Sequence, residues 1–134
     1  TLALNGARDF FTGRPLATGD YAGERINDHH IFPSKVEGLS PSTSMTFEER
    51  RDSILNRTLL LDETNKNKIG SKRPSVYLNE MLESRIVDGR QELEELLAGH
   101  FISRAALYCL FDDNFDGFIA EREKTLEEHI LSLI

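Results

Sequence analysis

Asp28-His29-His30-Ile31-Phe32-Pro33, answered downstream by Asn56 and, nine residues later, by Asn65, is the stretch on which the reading of this chain turns. Two adjacent histidines beside a carboxylate, followed by two spaced carboxamides, suggest a compact metal site next to a general base. Imidazole is a common metal ligand and is also the side chain whose unperturbed pKa lies nearest neutrality. Adjacent side chains on an extended segment point to opposite faces, so His29 and His30 are expected to do different jobs. One holds a metal while the other faces a substrate water, the division that metal-assisted hydrolysis requires. The expectation is phosphodiester hydrolysis, with DNA as the substrate.

Working outward, Arg25 to Phe32 reads as a short strand ending at Pro33, which cannot continue a sheet ladder. Arg57-Thr58-Leu59-Leu60-Leu61 supplies a second strand, and Asn65 to Ile69 a short helix or turn stopping at Gly70. Between the strands, Ser34 to Ser44 reads as a loop, Thr46 with Glu49 as a capping box opening a helix, and Asp52 to Asn56 as its close or a turn. The glycine-rich residues 1–24 predict a short helix followed by loops. The remainder reads as helical: Val76 to Arg85 capped by Ser75, Gln91 to Leu97 stopped at Gly99, His100 to Phe111, and Phe118 to Ile134. The expected architecture is α+β, a small β-hairpin with a crossing helix inside a helical shell.

Length and composition set bounds on this reading. With 134 residues, 39% hydrophobic and 29% charged, the chain fits one globular domain with a modest core. No apolar run approaches the ~20 residues that span a bilayer, so no membrane partner is expected. The opening Thr1-Leu2-Ala3-Leu4-Asn5-Gly6 lacks a basic n-region and an initiator methionine. It reads as a domain from a longer protein rather than as a secretory signal, and the cytoplasm is the expected compartment. The single Cys109 excludes an intrachain disulfide and a thiolate-rich zinc site, and it reads as a small buried hydrophobe. Net charge is −7, awkward for a DNA-binding enzyme, yet Arg50 to Arg73 holds seven Lys or Arg against three acids. The candidate site is therefore locally basic and the C-terminal half acidic. Weak DNA binding by the isolated domain follows, with specificity supplied by other parts of a parent protein.

The three segments His29-His30-Ile31-Phe32-Pro33, Asp52-Ser53-Ile54-Leu55-Asn56-Arg57-Thr58-Leu59-Leu60-Leu61 and Thr64-Asn65-Lys66-Asn67-Lys68 resemble the HNH, or ββα-metal, nuclease signature. The combination with Gly6-Ala7-Arg8-Asp9-Phe10-Phe11-Thr12-Gly13 and with Phe118, Ile119 and Arg122 is similar to the C-terminal nuclease domain of GmrSD-type, modification-dependent restriction proteins. That resemblance implies a mostly helical domain built around a ββα-metal core at about residues 25–70, with a helical remainder over 75–134. It implies His30 as the general base, Asn56 as the residue that pins the loop and orients the base, and His29 and Asn65 as ligands of Mg²⁺ or Mn²⁺. Asp28 is a further candidate ligand. Lys66, Lys68 or Arg73 are candidate phosphate contacts, or simply a solvated face. The partners implied are DNA and the other domains of a restriction protein, with a homodimer left open.

A rival feature is Asp112 to Glu123, which fits the calcium-loop pattern D-x-[DN]-x-[DN]-G-x5-E. Asp112, Asn114, Asp116 and Glu123 would supply oxygens for Ca²⁺ and Gly117 the sharp turn. The plain alternative is a polar turn between two helices. The competing functional class is thus a non-catalytic binding module, either a degenerate nuclease fold or a calcium-stabilised domain. His100 and His129 lie outside the motif and read as structural or solvent-facing.

Overall fold

Ile26–His30 (β1) and Arg57–Leu61 (β2) pair antiparallel, in a register running from Ile26 opposite Leu61 to His30 opposite Arg57. The computed structural model describes residues 6–16, 26–39 and 41–134, the last range with side chains from residue 46 onward. Directly opposed residues share a face of the ribbon. His29 therefore lies with the buried Thr58, and His30 lies with the half-buried Arg57. β1 stops at His30, short of the Phe32 expected before Pro33, because the Ile31 and Phe32 amides turn to Asn56, and β2 spans the residues read as the second strand. From β2 the chain enters a wide helical turn at Thr64–Ile69, in which the Gly70 N–H donates to the Asn65 carbonyl at 2.8 Å. Gly70 closes it at φ +55, a left-handed conformation that glycine adopts without strain. Such π turns are rare and occur often at functional sites.

Among the described residues five α-helices accompany the ribbon: α1 (Pro41–Arg50), α2 (Pro74–Glu83), α3 (Arg90–Ala98), α4 (Arg104–Phe111) and α5 (Phe115–Ser132). The architecture is α+β, with a two-stranded hairpin inside a helical shell. Phe32, just before Pro33, is fully buried and stacks edge-on against Phe115 at 5.2 Å between ring centres. Phe47 of α1 meets the same Phe115 at 5.0 Å. This cluster fastens the loop after β1 to α1 and α5, and edge-to-face pairs add to the gain from burial. Leu60, Tyr77, Leu78, Met81, Leu93, Leu97 and Leu107 continue the core. Among the described residues no helix is long and apolar enough to cross a membrane.

Several boundaries differ from the sequence expectation for physical reasons. The loop read over Ser34 to Ser44 ends early, because α1 begins at Pro41, where proline needs no amide partner. Thr46 is therefore inside α1 and forms no capping box; its hydroxyl donates to Asp116 at 3.1 Å. Helix α2 likewise starts at Pro74, and Ser75 is not its cap. Instead Asp113 reaches in from the α4–α5 junction and accepts from the Ser75 amide at 2.9 Å and from its hydroxyl. Helix α4 starts at Arg104 rather than His100, since the Ser103 hydroxyl accepts from the Ala106 amide. Of the short helix read within 1–24, the described part, 6–16, is a turn bridged antiparallel by Arg8 and Pro15; the rest lies outside the described residues.

His100 is buried behind β2. Its Nε2 donates to the Arg8 carbonyl at 2.6 Å, so Nδ1 is the acceptor for the Thr58 hydroxyl. That arrangement requires a neutral ring, and burial, the largest cause, pushes its pKa down from 6.5 to about 4. The unfolded chain takes up a proton near its ordinary pKa, whereas the folded protein refuses it until about 4. The stabilisation is thus complete above the ordinary pKa and is lost as pH falls through that window, by on the order of 3 kcal/mol. Urea midpoints at neutral pH and at about pH 5 should show this fall. A His100→Asn variant should lack that part of the slope; an identical slope in the variant would remove His100 as its source.

Candidate active site

Asn56 is buried at the end of a single 3-10 turn, Ile54–Asn56, and its carboxamide joins two loops. Oδ1 accepts from the Phe32 amide at 2.8 Å, while Nδ2 donates to the Phe32 carbonyl at 3.0 Å and to the Arg51 carbonyl at 2.9 Å. Only a side chain carrying both a donor and an acceptor makes this set. The Asn56 carbonyl also accepts from the Ile31 amide at 2.7 Å. Asn56 thereby fixes the end of β1, where His30 sits, against the turn after α1, which carries Asp52.

His30 Nε2 lies 2.8 Å from Asp52 Oδ1. A carboxylate only accepts, so Nε2 carries the proton and Nδ1 of the neutral ring keeps its lone pair. The hydrogen bond from His30, aided by the nearby charges of Arg51 and Arg57, holds the Asp52 carboxyl below its ordinary value. Asp52 was not anticipated from the sequence as a partner of the base, although it opens the second motif segment.

His29, on the other face of β1, places Nε2 2.7 Å from Asp62 Oδ1. The Asn27 amide group reaches the same carboxylate at 3.2 and 3.3 Å. Asp62 stands three residues before Asn65, just ahead of the turn that carries it. Asn65 and His30 line one cleft of about 230 Å³, together with Pro33, Lys35 and Gly70. His29 is not among the residues lining it and approaches the Asn65 turn through Asp62. Imidazole nitrogen and carboxamide oxygen are donors that Mg²⁺ and Mn²⁺ accept, so the chemistry of the set fits such an ion.

The remaining candidates scatter. Asp28 faces Arg57, whose Nε is 3.1 Å away, rather than His29 or Asn65. Arg73 is held by Asp113 at 3.1 Å, in the same cluster that caps α2. Lys66 and Lys68 are exposed on the turn that carries Asn65. Lys35, exposed at the mouth of the cleft, was not singled out by the sequence reading.

The calcium-loop residues do not form a loop. Asn114 is the N-cap of α5, its Oδ1 accepting from the Gly117 amide at 3.1 Å, so Asp116, Gly117 and Glu123 are helical. Asp116 accepts from Thr46, and Glu123 is exposed two turns further along α5. Asp112, Asn114, Asp116 and Glu123 are therefore strung along a helix start rather than wrapped around a point. The plain reading, a polar junction between two helices, describes them.

Two buried charges support the site from behind. Asp9 accepts from the Leu61 amide at 2.9 Å and from the Thr64 hydroxyl at 2.6 Å, tying the N-terminal turn to the β2–π junction. Arg122 of α5 donates to the carbonyls of Leu55 at 2.9 Å, Arg57 at 2.6 Å and His100 at 2.9 Å, with Ile54 at 3.4 Å. Desolvation lowers its pKa to about 10, which leaves it charged at neutral pH.

An uncharacterized protein of Methanocaldococcus jannaschii is 38% identical over 130 residues, covering 82% of this chain and 21% of the relative. The chain thus spans about a fifth of the length of the curated relative it matches. No family model and no solved structure matches the chain.

Proposed function

We propose that this chain is a metal-dependent endonuclease domain of the HNH type that hydrolyses DNA phosphodiester bonds, built on a ββα-metal core. The observation that carries the reading is the single cleft shared by His30 and Asn65, with Asn56 bracing the end of β1 that carries His30 against the turn that carries Asp52. His30, with its Nδ1 lone pair, takes the proton of an attacking water, and Asp52 steadies the imidazolium that results. His29 and Asn65 would hold the divalent ion. Bound Mg²⁺ or Mn²⁺ supplies Lewis-acid polarisation of the scissile phosphate and stabilises charge on the leaving oxygen. Lys35, Lys66 and Lys68 supply positive charge beside the cleft for the strand's phosphates.

The long relative supports a role as one domain of a larger protein, which we take to be a modification-dependent restriction protein. DNA choice then resides in the other domains, and the acidic surface here keeps the isolated domain's affinity low. The test is plasmid nicking with Mg²⁺ or Mn²⁺ against an EDTA control. Nicking that needs the ion is the expected result; nicking unaffected by EDTA would overturn the metal-dependent mechanism.

A further inference from the structure

We infer that Asp62 is the carboxylate of this metal site, an inference that rests on the nuclease reading above. The physical reason begins with charge. His29 and Asn65 are both neutral donors, whereas Mg²⁺ is typically held by one or two carboxylates together with substrate phosphates. A set limited to an imidazole and a carboxamide offers a divalent ion no formal negative charge, so a third protein group is wanted.

Among the carboxylates near the motif, Asp28, Asp52 and Asp62 are separated by their contacts. Asp28 is engaged by Arg57 at 3.1 Å. Asp52 sits on His30 at 2.8 Å, and moving it to an ion would strip the base of its partner. Asp62 alone of the three touches His29, at 2.7 Å, and stands three residues before Asn65. Two adjacent donors on an ion with bonds of 2.0–2.1 Å lie about 3 Å apart, so the His29–Asp62 pair needs to open by only a few tenths of an ångström. Asn27, two residues before His29 on the same face, already orients the carboxylate through its amide. Orientation of a ligating carboxylate by an outer hydrogen bond is a common element of metal sites.

The sequence offered no route to this residue. Asp62 stands between the second and third motif segments, and its carboxylate meets His29 only because β2 returns alongside β1.

The experiment is calorimetric titration of the chain with Mn²⁺ alone, comparing wild type with Asp62→Asn, Asp28→Asn and His29→Ala. Asp62→Asn keeps the shape and the hydrogen-bond acceptor for Asn27 while removing the charge. Mn²⁺ affinity is expected to fall about tenfold to a hundredfold in Asp62→Asn and to stay at the wild-type value in Asp28→Asn. Melting curves without Mn²⁺ report folding, and Asp62→Ser serves as a second variant should Asp62→Asn melt early. Wild-type Mn²⁺ affinity in both folded Asp62 variants, with loss in His29→Ala, would overturn the inference and leave the nuclease reading standing. Absence of Mn²⁺ binding by the wild type would overturn the reading itself, and the inference with it.

Discussion

Alanine at His30 is expected to lower metal-dependent DNA nicking by about 10²–10⁴-fold, the range that a positioned general base contributes. The expectation follows from tautomer and place. Asp52 accepts a hydrogen bond from Nε2–H at 2.8 Å, so Nδ1 is the nitrogen left to accept a proton from water. His30 lines the cleft that Asn65 also lines, whereas His29 faces Asp62, so the two histidines do not substitute for one another. The His30 side chain is half-buried at the end of β1, and its ring contact is a partner 71% exposed. Folding should therefore change by no more than about 1 kcal/mol, and Mn²⁺ affinity should stay near wild type. Nicking rates at saturating Mn²⁺, measured beside melting temperatures, decide the matter. Wild-type cutting by the folded variant would remove His30 as the base.

Replacing Arg122 with methionine should be the most damaging single change to stability. The guanidinium is 2% exposed and spreads its bonds over carbonyls of Leu55, Arg57 and His100, with Ile54 at the edge. Methionine fills comparable space but donates nothing, leaving buried acceptors unpaired at about 1–3 kcal/mol for each group. Part of that loss is offset, because a desolvated charge is also removed. A net loss on the order of 4 kcal/mol remains, a large share of the roughly 5–15 kcal/mol of a typical domain. Lysine at the same place keeps the charge, but one ammonium cannot reach acceptors on both sides of a planar fork, so Arg122→Lys should fall between the two. Urea midpoints order the three proteins. Equal midpoints for wild type and Arg122→Met would show that these carbonyls find other partners.

The consequence extends to the cleft. Arg122 grips the turn Ile54–Asn56 and the start of β2, and Asn56 in that turn grips the loops of His30 and Asp52. Loosening Arg122 should therefore disorder the base before the whole domain unfolds, and the Arg122→Lys variant should lose activity at temperatures where its far-UV signal is still intact.

The parts of this protein that were legible in the sequence are those with local causes. β1 is legible although it stops at His30, before the proline that was expected to end it, and Arg57–Leu61 reads as a strand from its own apolar run. Gly99 and Gly70 mark stops, and the helical stretches show their spacing even where the ends were misplaced by a few residues. His29, His30, Asn56 and Asn65 stand out because their residue types and spacing are unusual. Helix starts were less legible. A serine or threonine before an apolar stretch predicts a cap, but α1 and α2 start at prolines, and α2 takes its cap from Asp113, 38 residues away.

The sequence by itself determined the strands, the helical remainder and the four polar residues worth testing, since each depends on neighbours within a turn or a strand. Only the tertiary structure decided what surrounds them. Asp52 meets His30 across 22 residues, Asp62 meets His29 across 33, and Arg122 reaches Arg57 across 65. The stretch Asp112 to Glu123 makes the same point in reverse: its spacing matches a calcium loop, yet Asp113 is drawn to Ser75, Asn114 to Gly117 and Asp116 to Thr46. A carboxylate has no preferred conformation that announces its partner. Which donor it meets is fixed by how the hairpin and helices bury their apolar faces, and that packing couples residues far apart in the chain.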